Sequence, residues 1–175
     1  MRRVVLLGVA LVAVAAPAAA ARAPDPSAYV LHSSDLPGWV VKKTETTPAA
    51  AGGVLGGYGL LYQKPGILHG LIQVDSKAAL CSTATVAHRA LTVVYARPHG
   101  YHRLVAAWRI GDESALLQQS KVGASGDLLQ VYLIVWRSGS VIGAVFGGGI
   151  AGTFNVGDVL ELARKQQARI AHLPH

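Results

Sequence analysis

The 175-residue chain carries 16 basic and 9 acidic residues, a formal charge of +7, and one cysteine. A single cysteine excludes an intrachain disulfide, so a chain of this size must rely on its apolar core. The basic residues are scattered with no run of five like charges, which argues against nucleic-acid binding and leaves weak adhesion to an anionic cell envelope.

Met1-Arg2-Arg3, an apolar run over residues 4–15, Pro17 and the small residues Ala18-Ala19-Ala20-Ala21 have the three-part layout of a secretory signal. Cleavage is expected after Ala20 or Ala21, because small residues then stand one and three positions before the cut. The expected organisation is a signal peptide at 1–20, a lead-in at 21–27 and one α+β domain at 28–175. Left uncleaved, the same segment approaches the ~20 residues that span a bilayer and becomes an anchor, the one case in which a membrane enters. No cysteine accompanies the signal, so there is no acceptor for a lipid anchor.

In chain order, Asp35-Leu36-Pro37-Gly38-Trp39 reads as a turn feeding a strand at 39–45. A soft loop at 46–53 leads to strands at 57–63 and 67–76, joined around Pro65-Gly66. From Leu80, apolar residues recur at Ala84, Ala87, Leu91 and Val94, a spacing that predicts a helix ending at Gly100. Strands are predicted at 101–109, 114–120, 128–137 and 140–147, the last two forming a hairpin about Ser138-Gly139. The strand at 128–137 is apolar on both faces, with Leu129, Val131, Leu133 and Val135 on one side and Tyr132, Ile134 and Trp136 on the other. That pattern places it centrally and covered twice. A last helix is predicted at 158–173, started by Asp158 and Glu161, with Val159, Leu162, Ala163, Ile170 and Leu173 inward and Arg164, Lys165 and Arg169 outward. The order βββ-α-ββββ-α gives an α+β fold: an antiparallel sheet of about six or seven strands packed against two main helices.

No assembled catalytic motif is present. Residues 147–152 match G-x-G-x-x-G, but no helix opens at the third glycine and no later strand can carry the acidic partner, so a strand-exit loop is expected. Cys81 reads as a small buried thiol, since His88 lies two turns on along the predicted helix. His99/His102 and His172/His175 are H-x-x-H pairs without a third ligand at a zinc spacing, and no metal or cofactor is expected. His32-Ser33-Ser34-Asp35 holds triad residue types, but sequence neighbours do not adopt triad geometry. The more informative set is aromatic: Trp39, Tyr62, Trp108, Tyr132 and Trp136. Sharing a sheet face with no helix above it, they would form a groove for a lipid, glycan or peptide; otherwise they are core.

Asp35-Leu36-Pro37-Gly38-Trp39, Ile110-Gly111-Asp112-Glu113-Ser114 and Val135-Trp136-Arg137-Ser138-Gly139-Ser140-Val141 occur in that order before the final helix. On these motifs the chain resembles a broad group of exported bacterial α+β proteins. More distantly it resembles the extracellular sensor domains of PknH-type kinases and the LpqN/PsbP-like sandwiches. PknH-type domains carry disulfides, a departure for a chain with one cysteine. The resemblance implies export and a binding or scaffolding role, and no functional residue is carried across. The expectation is thus a secreted, non-enzymatic binding or sensor-like domain for a cell-envelope ligand or protein partner. The alternatives are an exported enzyme whose site (His99, His102 and Asp112 as candidates) assembles only on folding, and a signal-anchored envelope component.

Overall fold

The computed structural model describes residues 24–66, 72–96, 100–105, 108–123 and 126–173. The expected signal segment and its cleavage site lie outside these residues. Two short 3-10 turns, Pro26–Tyr29 and Ser33–Asp35, precede seven strands and two α-helices. The elements are β1 (Val40–Thr47), β2 (Val54–Gln63), β3 (Gln73–Cys81), α1 (Ala84–Ala96), β4 (His102–Leu104), β5 (Glu113–Val122), β6 (Leu128–Ser138), β7 (Val141–Ile150) and α2 (Val156–His172). The fold is α+β, with one antiparallel sheet ordered β1-β2-β3-β7-β6-β5-β4. It is two meanders, β1-β2-β3 and β4-β5-β6-β7, zipped together where β7 returns to pair with β3. The crossover between them carries α1.

Register assigns each residue to a face, because directly opposed residues point the same way. Tyr62, Val74, Gly147 and Tyr132 form one row across four strands, and Leu60, Ser76, Val145, Ile134 and Leu116 the next. These rows make the main core with Val159, Leu162, Ala163 and Ile170 of α2 and with Tyr29, Val30 and Leu31 of the N-terminal segment. Trp136 is fully buried here, and its indole N–H donates to Gln167 Oε1 at 2.6 Å. Gly143 stands opposite Trp136, and a Cβ at Gly143 would collide with that ring. Helix α2 is capped by Asn155, whose side chain accepts from Gly157 and Asp158 while Asp158 reaches back to the Asn155 N–H.

On the opposite face, α1 packs against β3, β6 and β7 and covers only part of the sheet. Ala87 and Leu91 are buried in it, as are Cys81, Ala115, Leu117 and Val135 on that side of the sheet. His88 Nδ1 ties α1 to Glu113 at 2.7 Å.

Several expectations change. The predicted strand at 67–76 is displaced: β3 runs from Gln73 to Cys81, and residues 67–71 are not among those described. Leu80 and Cys81 are therefore strand, paired with Val141 and Val54, and the helix begins at Ala84. The strand predicted at 101–109 shrinks to three residues on the sheet edge. β7 extends to Ile150, so Gly147, Gly148 and Gly149 are strand residues and the strand-exit turn falls later, at Gly152-Thr153. Gly147 stays bare because a Cβ would strike the Phe154 ring. The capping box is Asn155 with Asp158, three residues earlier than expected. Arg169 is only half-exposed and pairs with Asp35 at 2.8 Å, pinning α2 to the N-terminal turn.

Candidate functional site

The half of the sheet that α1 leaves open has its own composition. One row there runs Glu45, Gly59, Lys77, Ala144, Val135 and Ala115; its neighbour runs Leu61, Asp75, Phe146, Leu133 and Leu117. Toward β5 both rows end buried, at Ala115, Val135 and Leu117. Toward β1 they open: Leu133, Ala144, Phe146 and Leu61 are half-buried and face water.

Gly59 shapes this surface. It stands between Glu45 and Lys77 in the row, and a Cβ on it would lie 3.0 Å from Lys77 Cγ. With no side chain there, the Lys77 stem lies flat over β2 and its ammonium reaches Glu45 Oε2 at 2.8 Å. The same ammonium lies 3.0 Å from Asp75 Oδ2, and Lys43 donates to Glu45 at 2.6 Å. Lys77 therefore forms a strap across three strands and divides the open face into two adjoining cavities. One, about 160 Å³, is lined by Glu45, Thr47, Gly57, Gly59, Ala79 and Ile142. The other, about 240 Å³, is lined by Asp75, Leu133 and Phe146, and Lys77 and Ala144 belong to both.

The charges on the strap differ in setting. Burial raises the Asp75 carboxyl above its ordinary value, against the opposing pull of its hydrogen bond from Lys77. Glu45, at the exposed end, is lowered to about 2 by hydrogen bonds from Lys43 and Lys77. Burial alone would lower the Lys77 ammonium, but the bonds to Glu45 and Asp75 outweigh it and its pKa is raised. The arrangement is a shallow apolar floor with a removable ionic strap, suited to holding an apolar body with one polar end.

The aromatic residues singled out from sequence divide between settings. Tyr62, Tyr132 and Trp136 do share one sheet face, but α2 lies over it and all three are buried. The Tyr62 hydroxyl donates to the Leu31 carbonyl at 2.8 Å, holding the N-terminal segment against the sheet. Trp39 lines a separate cavity of about 240 Å³ with Lys64, Ile72, Phe154 and Leu162. Trp108 lies beyond β4 beside Arg103, Leu104 and Leu116.

The folding-assembled enzyme site does not come together from His102 and Asp112. His102 pairs with Gln118, five residues along β5 from Glu113, or about 17 Å at ~3.4 Å per residue. The Asp112 carboxylate is engaged by Arg137 Nη1 and by the Gly139 N–H, both at 2.9 Å, and closes the β6–β7 hairpin. His99 and His175 fall outside the described residues. Among the described residues no three metal-ligating side chains cluster, and no helix is long and apolar enough to cross a membrane.

Sequence reading missed Glu45, Asp75, Lys77, Ala144 and Phe146. The available signal was alternation: Asp75, Lys77 and Ala79 interleave with Val74, Ser76 and Ala78, marking a strand with one wet face.

This architecture, an antiparallel α+β sheet with one helix on each face, has a counterpart among solved structures. The chain is similar to the crystal structure of the extracellular domain of PknH from Mycobacterium tuberculosis, with a TM-score of 0.63 and 16% identity, covering 84% of this chain and 95% of that one. At that identity the likeness is one of fold. No family model and no curated protein matches the chain.

Proposed function

We propose that the protein is an extracytoplasmic binding domain of the sensor type, which holds an apolar or amphiphilic envelope ligand on the sheet face left open by α1. The observation that carries this reading is the uncovered apolar floor of Leu133, Ala144 and Phe146 beside the Lys77 strap. A sheet face normally buries its apolar row, and α2 seals the opposite face completely enough to leave Ile134, Val145 and Trp136 without exposure. The export pattern of residues 1–21 and the fold shared with an extracellular domain support the compartment.

The neutral fluorescent probe 1-aminoanthracene tests the site. Saturable binding to the wild-type protein, lost in Ala144→Phe with the thermal midpoint retained, supports the reading. Wild-type protein that gives no saturable signal refutes it, as does undiminished binding to a folded Ala144→Phe variant. Compartment is read separately, by N-terminal sequencing of protein from the producing culture: a start at Ala21 or Arg22 is expected, and intact Met1 contradicts cleavage.

A further inference from the structure

We propose that the ligand of the open sheet face is a cationic amphiphile, whose ammonium head replaces the Lys77 ammonium between Asp75 and Glu45 while its aliphatic tail lies on Ala144, Leu133 and Phe146. The inference rests on the reading of that face as a ligand site and goes further by assigning the sign of the ligand's charge.

The argument turns on which charges can leave. Asp75 and Glu45 are carboxylates on β3 and β1, the strands on either side of β2, and their side chains are 22% and 40% exposed. Both are held near the sheet by stems shorter than those of the lysines. Lys77 and Lys43 neutralise them from long flexible stems whose side chains are 47% and 62% exposed. Lys77 crosses the bare backbone of Gly59, where a Cβ would crowd its Cγ at 3.0 Å. An incoming cation can displace Lys77 into water and inherit two carboxylates. An incoming anion finds the same two carboxylates fixed beside it. Removing the strap also joins the two cavities that share Lys77 and Ala144, giving one continuous groove. The Phe146 ring, next to Asp75 in its row, adds a face on which an alkylammonium group is attracted.

The bulk of the protein acts in the opposite direction. With a formal charge of +7, non-specific attraction favours an anionic probe, so a preference for a cation must originate in the groove. Three probes with the same ten-carbon tail separate the cases: decylammonium, decanoate and decyl maltoside, each below its critical micelle concentration. Binding is followed by the amide shifts of Ala144 and Phe146. The expected result is saturable binding at these amides with the ammonium probe about tenfold tighter than decanoate, the size of one charge-assisted contact. Asp75→Asn and Glu45→Gln each reduce that preference. Lys77→Met, which keeps the stem and removes the competing charge, tightens the ammonium probe. Glu45→Gln, on the exposed edge strand, keeps the test decisive if Asp75→Asn does not fold. Equal affinity for the three probes, or preference for decanoate, with the same amides shifting overturns the cation inference and leaves the groove in place. No saturable shift at Ala144 or Phe146 with any probe overturns the groove reading itself, and the cation inference with it.

Discussion

Ser76 and Gln166 are the buried polar side chains of the described core, and each is there because the other is. The Ser76 hydroxyl accepts from the Leu31 N–H at 2.9 Å and donates to Gln166 Oε1 at 2.8 Å, while Gln166 Nε2 donates to the Lys77 carbonyl at 2.8 Å. The chain of bonds ties the N-terminal segment, β3 and α2 together directly beneath the strap residue. Ser76→Ala strands a buried N–H and a buried amide, and urea denaturation should show a loss of about 1–3 kcal/mol. The Ser76→Ala/Gln166→Ala double variant should lose less than the sum, because both belong to one network.

The titrating residues of the strap give a prediction with a definite sign. Asp75 lies above its ordinary value of 3.8, and Glu45 falls to about 2. For Glu45, stabilisation is complete above the ordinary carboxylate value and is lost as pH falls toward 2. Asp75 acts oppositely: ionising it in its half-buried site opposes folding, so its contribution improves as pH drops through the raised value. Carboxyl-carbon NMR should resolve the two titrations in that order, with Asp75 the later to ionise as pH rises. Cys81, buried at the end of β3 with its thiol raised by burial, should react with a thiol reagent at neutral pH only as fast as the protein opens.

At the scale of elements, legibility in the sequence follows the range of the interactions that fix each one. The β6–β7 hairpin and α2 were readable because alternation, a Ser-Gly turn and a 3.6-residue stripe are local signals. The start of α1 was not. Leu80 fits the helical spacing of Ala84, Ala87, Leu91 and Val94, but its partner is Val141, sixty residues on in the chain, and strand pairing overrides local period. Gly147 and Gly148 of β7 misled for the same reason: they signalled a loop, whereas they are kept small by Phe154 and by the neighbouring strand, as Gly143, in a stretch predicted as strand, is kept small by Trp136. Gly143→Ala tests this, since the Trp136 ring it would strike is fully buried and held by Gln167. A loss of about 1–3 kcal/mol is expected from overpacking alone, read from the shift of the urea midpoint. Asn155→Ala should cost about 1 kcal/mol through loss of the α2 cap, and helical ellipticity should fray without loss of the sheet.

The candidate site was less legible than the fold. Its charged members stand on β1 and β3, separated in sequence and brought into adjacent rows only by pairing through β2. Aromatic content pointed instead to the α2 face, where Tyr62, Tyr132 and Trp136 do what large buried rings usually do, which is fill a core.

Across the whole molecule, asymmetry of coverage is the central feature. One face of the sheet is sealed by α2 and the N-terminal segment, which is locked down by the Asp35–Arg169 pair and the Tyr62–Leu31 bond. The other carries α1 packed against parts of β3, β6 and β7 and leaves Asp75, Lys77, Ala144 and Phe146 lining a cavity. A rigid sheet with one sealed and one half-open face suits a domain that reports occupancy, because the floor is preorganised and only a surface side chain has to move. The most direct test is methyl NMR during titration with decyl maltoside, a probe with no charge to bias its location. Saturable shifts at Ala144 and Leu133, with Ile134 and Val145 on the sealed face unmoved, are the predicted result. Saturation elsewhere, such as the cavity of Ala168 and Leu173 at the end of α2, or no saturation at all, contradicts the account.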